Sequence, residues 1–300
     1  MRVFLTGASG WIGSAVVDDL LASGHEVTGL ARSDAAAAGL EARGVRVRRG
    51  DLDDLDSIRT GADEAEATIH LANKHDWSNP AASDAAERAA VQTIGDVLTG
   101  SDRRFLFASG VAAIAQGRPA TEADPSPFHG PDSPRGGAEN LAFGFVERGV
   151  HSVSLRFSPT VHGANDHGFI SSIAAVARKK GVSGYPGDGE NPWAAVHVSD
   201  TARLVTLALH KAPAGARLHA VAEQGVTTKQ IAEAIGRAFD LPVTSISSDD
   251  LGGHFGWIGR FFGMDLSATS DTTRALLDWT PTGPTLIEDI DGGAYAHTQL

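Results

Sequence analysis

Residues 2–13 read "RVFLTGASGWIG", and the helical pattern that follows carries Val16, Val17, Leu20 and Leu21 on one face. A short β-rich run, a turn with glycines at 7, 10 and 13, and an amphipathic helix in immediate succession point to a dinucleotide-binding βαβ unit. Gly7 permits the tight turn, Gly10 lets backbone amides approach a pyrophosphate, and Gly13 lets helix and strand pack closely. Thr6, Trp11 and Ile12 share that turn and are assigned to the cofactor with the glycines. The competing reading is a turn that only packs.

Outward from this unit the first half of the chain alternates β-rich runs and helical patterns. EVTGLA precedes a helix at 34–43, VRVRR a helix at 55–60, ATIHLA a helix at 81–98, and RFLFAS a long loop, a helix at 135–148 and the strand SVSLRF. Such alternation predicts an α/β fold, a doubly wound parallel sheet of the Rossmann type. The segment 118–134 holds five of the 13 prolines and is expected to form a flap near the site. After Phe157 the pattern loosens, which predicts a dinucleotide-binding region of residues 1–160 and 196–224 and a small substrate-binding region of 161–195 and 225–300, with a cleft between them.

Composition narrows the function classes. With 42% hydrophobic residues in 300, the chain can bury a large core. Its formal charge of −12 opposes adhesion to nucleic acid or anionic lipid, so a small-molecule partner is expected. No cysteine is present, which removes disulfides, thiolate nucleophiles and sulfur-ligated metals. No apolar run spans a bilayer, and the chain is read as cytoplasmic.

The strand ends supply the rest of the cofactor assignment. Arg32 and Ser33 stand where a carboxylate would grip the ribose of NAD; a guanidinium and a hydroxyl instead suit the 2′-phosphate of NADP, although Asp34 lies close by. Asp51 and Leu52 are assigned to the adenine edge, with Asp51 as the N-cap of the next helix as the alternative. Ala72 and Asn73 end the fourth strand and are expected to lie along the cofactor.

These stretches, with Leu155-Arg156-Phe157-Ser158-Pro159-Thr160-Val161-His162-Gly163 and Val196-His197-Val198-Ser199-Asp200, resemble the extended short-chain dehydrogenase/reductases, the NAD-dependent epimerase/dehydratase-like branch. The resemblance runs over roughly residues 2 to 240 and implies a Rossmann fold, a nicotinamide cofactor, and Pro159 and Thr160 near its nicotinamide end. It also implies a Ser or Thr after the fifth strand, here Ser109, and a Tyr-x-x-x-Lys pair whose tyrosine exchanges a proton while hydride moves. That pair is missing. Laying the family's helix on Arg135, Ala138 and Glu139 puts Ser133 in the tyrosine place and Gly137 in the lysine place. No register restores it, because the only tyrosines are Tyr185 and Tyr295 and no lysine lies between Lys74 and Lys179.

An atypical branch is therefore expected, with a nonstandard proton donor. Beside Ser109, the candidates are His75, which Asp76 is expected to orient or charge, and His162, which stands near the nicotinamide end. Trp77, Phe169, Tyr185 and Trp193 are candidate walls of an apolar substrate pocket, with ordinary packing as the alternative for each. No metal is expected: His162 and His167 are five apart across a Gly-Asn loop, with no HExxH. The leading function is an NADP(H)-dependent oxidoreductase of a small, fairly apolar carbonyl or alcohol. The alternatives are a noncatalytic NADP(H) sensor and a cofactor-assisted isomerase or lyase, and a homodimer through helices 81–98 and 135–148 is compatible with each.

Overall fold

Alternate residues of the central β-rich runs face opposite sides, and both sides are apolar: Val3 and Leu5 join one buried cluster while Phe4 joins another, and Leu106 is divided in the same way from Phe105 and Phe107. A strand buried on both faces belongs in a parallel sheet covered by helices on each side. The structure, a computed structural model, describes residues 1–76 and 78–296. Its strands are β1 (Arg2–Thr6), β2 (Glu26–Ala31), β3 (Arg46–Arg49), β4 (Ala67–His70), β5 (Arg104–Gly110) and β6 (His151–Phe157). Then come β7 (Thr160–His162), β8 (Ser183–Pro186), β9 (Pro192–His197), β10 (Arg217–Ala220), β11 (Glu223–Thr227) and β12 (Val243–Ile246).

Seven of these strands pair in the order β10-β6-β5-β4-β1-β2-β3, every neighbour parallel. The helices that follow them are α1 (Trp11–Ala22), α2 (Asp34–Glu41), α3 (Leu55–Glu64), α4 (Pro80–Leu98) and α5 (Ala138–Gly144). The later ones are α6 (Phe169–Lys180), α7 (Val198–Lys211), α8 (Thr228–Phe239), α9 (Leu251–Phe255), α10 (Gly259–Phe262), α11 (Asp271–Leu277) and α12 (Leu286–Asp291). Residues of α1, α2 and α7 bury one face of the sheet, and residues of α3, α4 and α5 bury the other. The expected doubly wound Rossmann architecture is the one found. Among the described residues no helix is long and apolar enough to cross a membrane.

A second core gathers α6, α8, α12, the α9–α10 segment and Trp193 of β9. Two small sheets serve it, β11-β9-β7 and β12-β8. The C-terminal segment is not confined to this region, however. Leu277 and Trp279 pack in the same cluster as α1 and α7 of the large sheet.

Asp200 explains that return. An acid in the first turn of a helix suggests a cap, but the cap of α7 is His197, whose Nδ1 accepts from the Ser199 amide at 3.3 Å. The buried Asp200 carboxylate instead accepts the amides of Thr282 at 3.0 Å and Gly283 at 2.8 Å and the Arg203 guanidinium at 2.7 Å, while its carbonyl takes the Trp279 indole at 3.1 Å. The 118–134 segment is likewise stitched down rather than free. Ala120 bridges to Ala268, Asn140 donates to the carbonyls of Ser126 and Phe128, and Arg118 pairs with Asp124.

Asp200→Ala removes the buried acceptor that ties Thr282, Gly283 and Arg203 to α7, and it is expected to cost about 3 kcal/mol. A urea unfolding curve showing less than a third of that loss would contradict the stapling role.

Candidate functional site

The strand order reverses at β1, which has β2 on one side and β4 on the other, and ligands of open α/β sheets bind in the crevice at such a point. Gly7, at φ +73°, lies against β4 so closely that a Cβ there would stand 2.8 Å from the Ala72 amide nitrogen. A Cβ on Gly13 would come within 1.9 Å of the Gly7 carbonyl oxygen. Thr6 ties the two strand ends together, accepting the Ala72 amide at 3.2 Å and sharing a 2.8 Å hydrogen bond with His70.

Above this joint Ser9 and Gly10 are exposed, and α1 starts with neither a side-chain cap nor an acidic residue in its first turn. By contrast α2, α3, α4, α7, α8 and α12 each carry a side-chain cap. The first amides of α1, over Trp11 and Ile12, are thus left for an external anion. The Trp11 indole donates to the Val161 carbonyl at 2.7 Å, bringing the segment of Pro159 and buried Thr160 to the glycine turn. This cradle fits the pyrophosphate of a dinucleotide.

At the ribose end Arg32 is exposed, and Ser33 caps α2 through the Ala36 amide at 3.2 Å. Arg49, which the sequence reading passed over, ends β3 opposite Ala31 and donates to the Ser33 carbonyl at 2.7 Å and to Asp34 at 2.8 Å. The acidic neighbour of Arg32 therefore already has a cation. Asp51 does not cap α3. It accepts the Asp53 and Asp54 amides in its own turn, Asp54 is the cap, and Leu52 is buried beside them.

The catalytic end differs most from expectation. The predicted helix at 135–148 begins only at Ala138, because Arg135, Gly136 and Gly137 are all left-handed, at φ +56°, +58° and +63°. Backbone of this handedness cannot extend a right-handed helix. Gly137, in the lysine place, has no room for a side chain: a Cβ would lie 2.9 Å from Gly130 backbone. The Ser133 hydroxyl, in the tyrosine place, is spent on the Gly130 carbonyl at 2.8 Å.

What the turn presents is Arg135. Its amide donates to Asp84 at 2.8 Å, and Arg88 holds the Gly136 carbonyl at 2.6 Å, both from α4. Its guanidinium grips one carboxylate oxygen of Glu87 through Nε, at 2.9 Å, and Nη2, while the other oxygen takes the Asn73 amide three residues beyond β4. Glu87 is only 1% exposed, yet the Arg135 side chain is 35% exposed. The Gly-Gly that follows Arg135 was the sequence signal for this turn, and Glu87 on the buried, alanine-rich side of α4 was the signal for its seat.

Beside it, Ser109 is next to last in β5. Burial pushes the Glu139 carboxyl up, but bonding to the Arg156 guanidinium, with the hydroxyls of Ser109 and Ser154, outweighs burial and holds it below the usual range. Arg156 is wholly buried and also meets the Asp124 carbonyl at 2.9 Å and His219 at 3.3 Å. A carboxylate only accepts, so the Ser109 proton is directed inward to Glu139.

His75 is also left-handed, at φ +50°, with its amide donating to the Asn73 side-chain Oδ1 at 2.8 Å. Asp76 does not charge it. That carboxylate is engaged by the Ser78 amide at 3.0 Å and hydroxyl at 2.5 Å, and the His75 pKa is lowered by burial and by the charges of Arg135 and His167. Lys74 pairs with Asp53 at 2.7 Å.

His162 does not face the cleft. It is fully buried, with Nδ1 at 2.5 Å from Asp289 of α12, and His167 instead lies edge-on to Trp11. Of the proposed walls, Phe169 and Trp193 meet at 5.6 Å, but Trp193 is wholly buried and its indole donates to the Met264 carbonyl, so it is core. Tyr185 stands apart on β8, against Gly189 and Lys229. Trp77 lies outside the described residues. Two aromatics not foreseen join Phe169 instead: Phe261, stacked at 5.5 Å, and Trp257, edge-on at 5.7 Å and 47% exposed.

A Rossmann sheet with a glycine-lined phosphate cradle, and a serine near the end of β5 beside the start of α5, defines a nicotinamide-dinucleotide-binding protein of the reductase and epimerase type. The chain belongs to the NAD dependent epimerase/dehydratase family, which residues 3–221 match. It is 42% identical to an uncharacterized protein of Schizosaccharomyces pombe over 296 residues, 98% of this chain and all of that one. It is 28% identical over 226 residues to the 4-hydroxy-2-methyl-3-oxo-4-farnesyl-3,4-dihydroquinoline-1-oxide ketoreductase of Stigmatella aurantiaca, 72% of this chain and 66% of that one. The UDP-glucose 4-epimerase of Thermus thermophilus, solved with NAD, shares the fold at a TM-score of 0.75, with 23% identity over 97% of each chain.

Two titrations check the electrostatics. His70 is buried beneath this site, and burial, with the Arg135 charge, pushes its pKa down to about 3. The unfolded chain then binds the extra proton, so the contribution is complete above pH 6.5 and is lost as pH falls toward 3, about 2 kcal/mol by pH 5. Urea midpoints at pH 7 and 5 should show this loss, and His70→Asn should reduce it. Replacing Arg135 with Gln should raise the His75 pKa, read from the imidazole resonances; an unmoved titration would place the guanidinium elsewhere.

Proposed function

We propose that the protein is an NADP(H)-dependent oxidoreductase acting on a small, fairly apolar carbonyl or alcohol compound without the usual Tyr-Lys pair. The observation that carries the cofactor choice is Arg32, exposed at the end of β2 with Arg49 beside it, while Asp34 is paired with Arg49 and so competes poorly for a ribose hydroxyl. A guanidinium suits a phosphate dianion and gains little from a diol. When bound, NADPH supplies a hydride at nicotinamide C4.

Around it the chain's own residues divide the work. The α1 amides and Gly10 hold the pyrophosphate, Arg32 reads the 2′-phosphate, and Ser109 offers oxygen lone pairs to a substrate donor, because its proton is held by Glu139. Phe169, Phe261 and Trp257 form an aromatic surface on the α6 side, to which an apolar substrate body fits. The ketoreductase relative, whose named substrate carries a farnesyl chain on a dihydroquinoline, supports an apolar ketone.

Titration calorimetry of the full chain should find NADPH bound more tightly than NADH. Arg32→Ala should weaken NADPH by about 10- to 100-fold, the worth of a charge-assisted contact, and leave NADH nearly unchanged. Equal affinities in the parent protein would overturn the cofactor choice, and NADPH that is bound but never consumed across a panel of aromatic and alicyclic ketones would overturn the reaction.

A further inference from the structure

The site has lost a phenol and an ammonium and has not been left bare. Three observations single out what replaces them. The backbone is left-handed over three residues in the place where the family's helix begins, and Gly136 and Gly137 are both needed there: Cβ atoms would lie 2.7 Å from the Asp84 carbonyl and 2.9 Å from Gly130. A turn this costly in conformation persists only where the surroundings hold it, and here α4 does so through Asp84, Glu87 and Arg88.

The guanidinium so held is engaged on one edge only. Nε and Nη2 serve Glu87, and among the described residues no hydrogen bond engages Nη1, which lies on a side chain open to solvent. Its position is fixed on both sides. Glu87 links it to Asn73, three residues beyond β4, and Glu139, four residues along, receives Ser109, next to last in β5 before Gly110. It therefore stands over the strand ends where the family places its reaction centre.

We propose that Arg135, seated on Glu87, is an oxyanion-binding residue, and that its outer edge receives a carbonyl, enol or phenol oxygen of an apolar, aromatic ligand. The proposal deepens the oxidoreductase reading and rests on it for the reaction. Arginine does not release its proton, so it cannot copy the tyrosine's acid role. It can receive the electron pair that collects on the oxygen, a role in which one well-placed donor is worth about 10²–10³ in rate. The proton that completes an alcohol then comes from water, which is left as hydroxide. Glu87 neutralises the resting charge, so the edge is a donor fork for developing charge and not a general trap for anions. The Phe169–Phe261–Trp257 surface suits the aromatic body.

The probe is 4-nitrophenol, whose phenolate colour reports the ionised oxygen, added to the full chain with and without NADP⁺. The parent protein should bind the phenolate and deepen its colour at a fixed pH near neutrality. Arg135→Gln should weaken binding at least about 10-fold and abolish the colour change, and Arg135→Lys should recover part of it. Arg135→Gly suits the φ of +56° and serves as a second deletion; millimolar guanidinium should restore binding to it and not to Arg135→Gln. Equal phenolate affinity in the parent and both deletions, or no phenolate binding by the parent, overturns the proposal. NADPH affinity is measured on the same samples, so that loss of phenolate binding is read against cofactor binding by the same variant. Its absence from all of them would sink the oxidoreductase reading, while the phenolate comparison would still judge Arg135.

Discussion

There is no space for a side chain where β1 hands over to α1. The carbonyl of Gly7 lies 1.9 Å from where a Cβ on Gly13 would sit, and Gly7 itself presses on the backbone of Ala72. This contact sets the angle of α1 to the sheet and keeps β1 and β4 together where the strand order reverses, which opens the crevice. It also leaves the first amides of α1 uncapped in that crevice. Thr6 and His70 lock the floor of the same joint. Packing and site geometry are linked here, because the close approach allowed at Gly7 and Gly13 is what aims the uncapped α1 amides into the crevice.

The other end of the crevice is organised by buried carboxylates. Glu87 gathers Asn73 and Arg135, and Glu139 gathers Arg156, Ser109 and Ser154. Buried carboxylates survive only when fully partnered, and each is served by a guanidinium and by neutral donors. Fixed ion pairs thus stand where related enzymes carry a titrating pair. On the reading proposed for Arg135, such a site works by hydrogen-bond donation in place of proton exchange.

Much of the fold was legible in the sequence because it is written in local patterns. The strand–turn–helix at 2–22, the alternation to residue 157 and the parallel sheet follow from period, glycine placement and length. The failures have a common cause. His162 and Asp200 look local from their sequence neighbours, but they are bonded to residues 127 and about 80 positions away, contacts that no local pattern encodes. Trp193 was offered as a pocket wall because aromatic residues near a cleft and in a core look alike without burial. Arg135 was used as a marker for aligning a helix, whereas the two glycines after it announced a different backbone.

That backbone has a bearing on how such a site arises. Three left-handed residues in a row, with glycine packed against foreign backbone at two of them, leave position 137 unable to accept any side chain without remaking the 128–138 loop. Tyrosine and lysine grafted onto positions 133 and 137 of this scaffold would find neither the helix nor the space they occupy in kindred enzymes. Placing that pair on this scaffold would therefore mean rebuilding the segment as a unit, because no single substitution at 133 or 137 changes the backbone that excludes it.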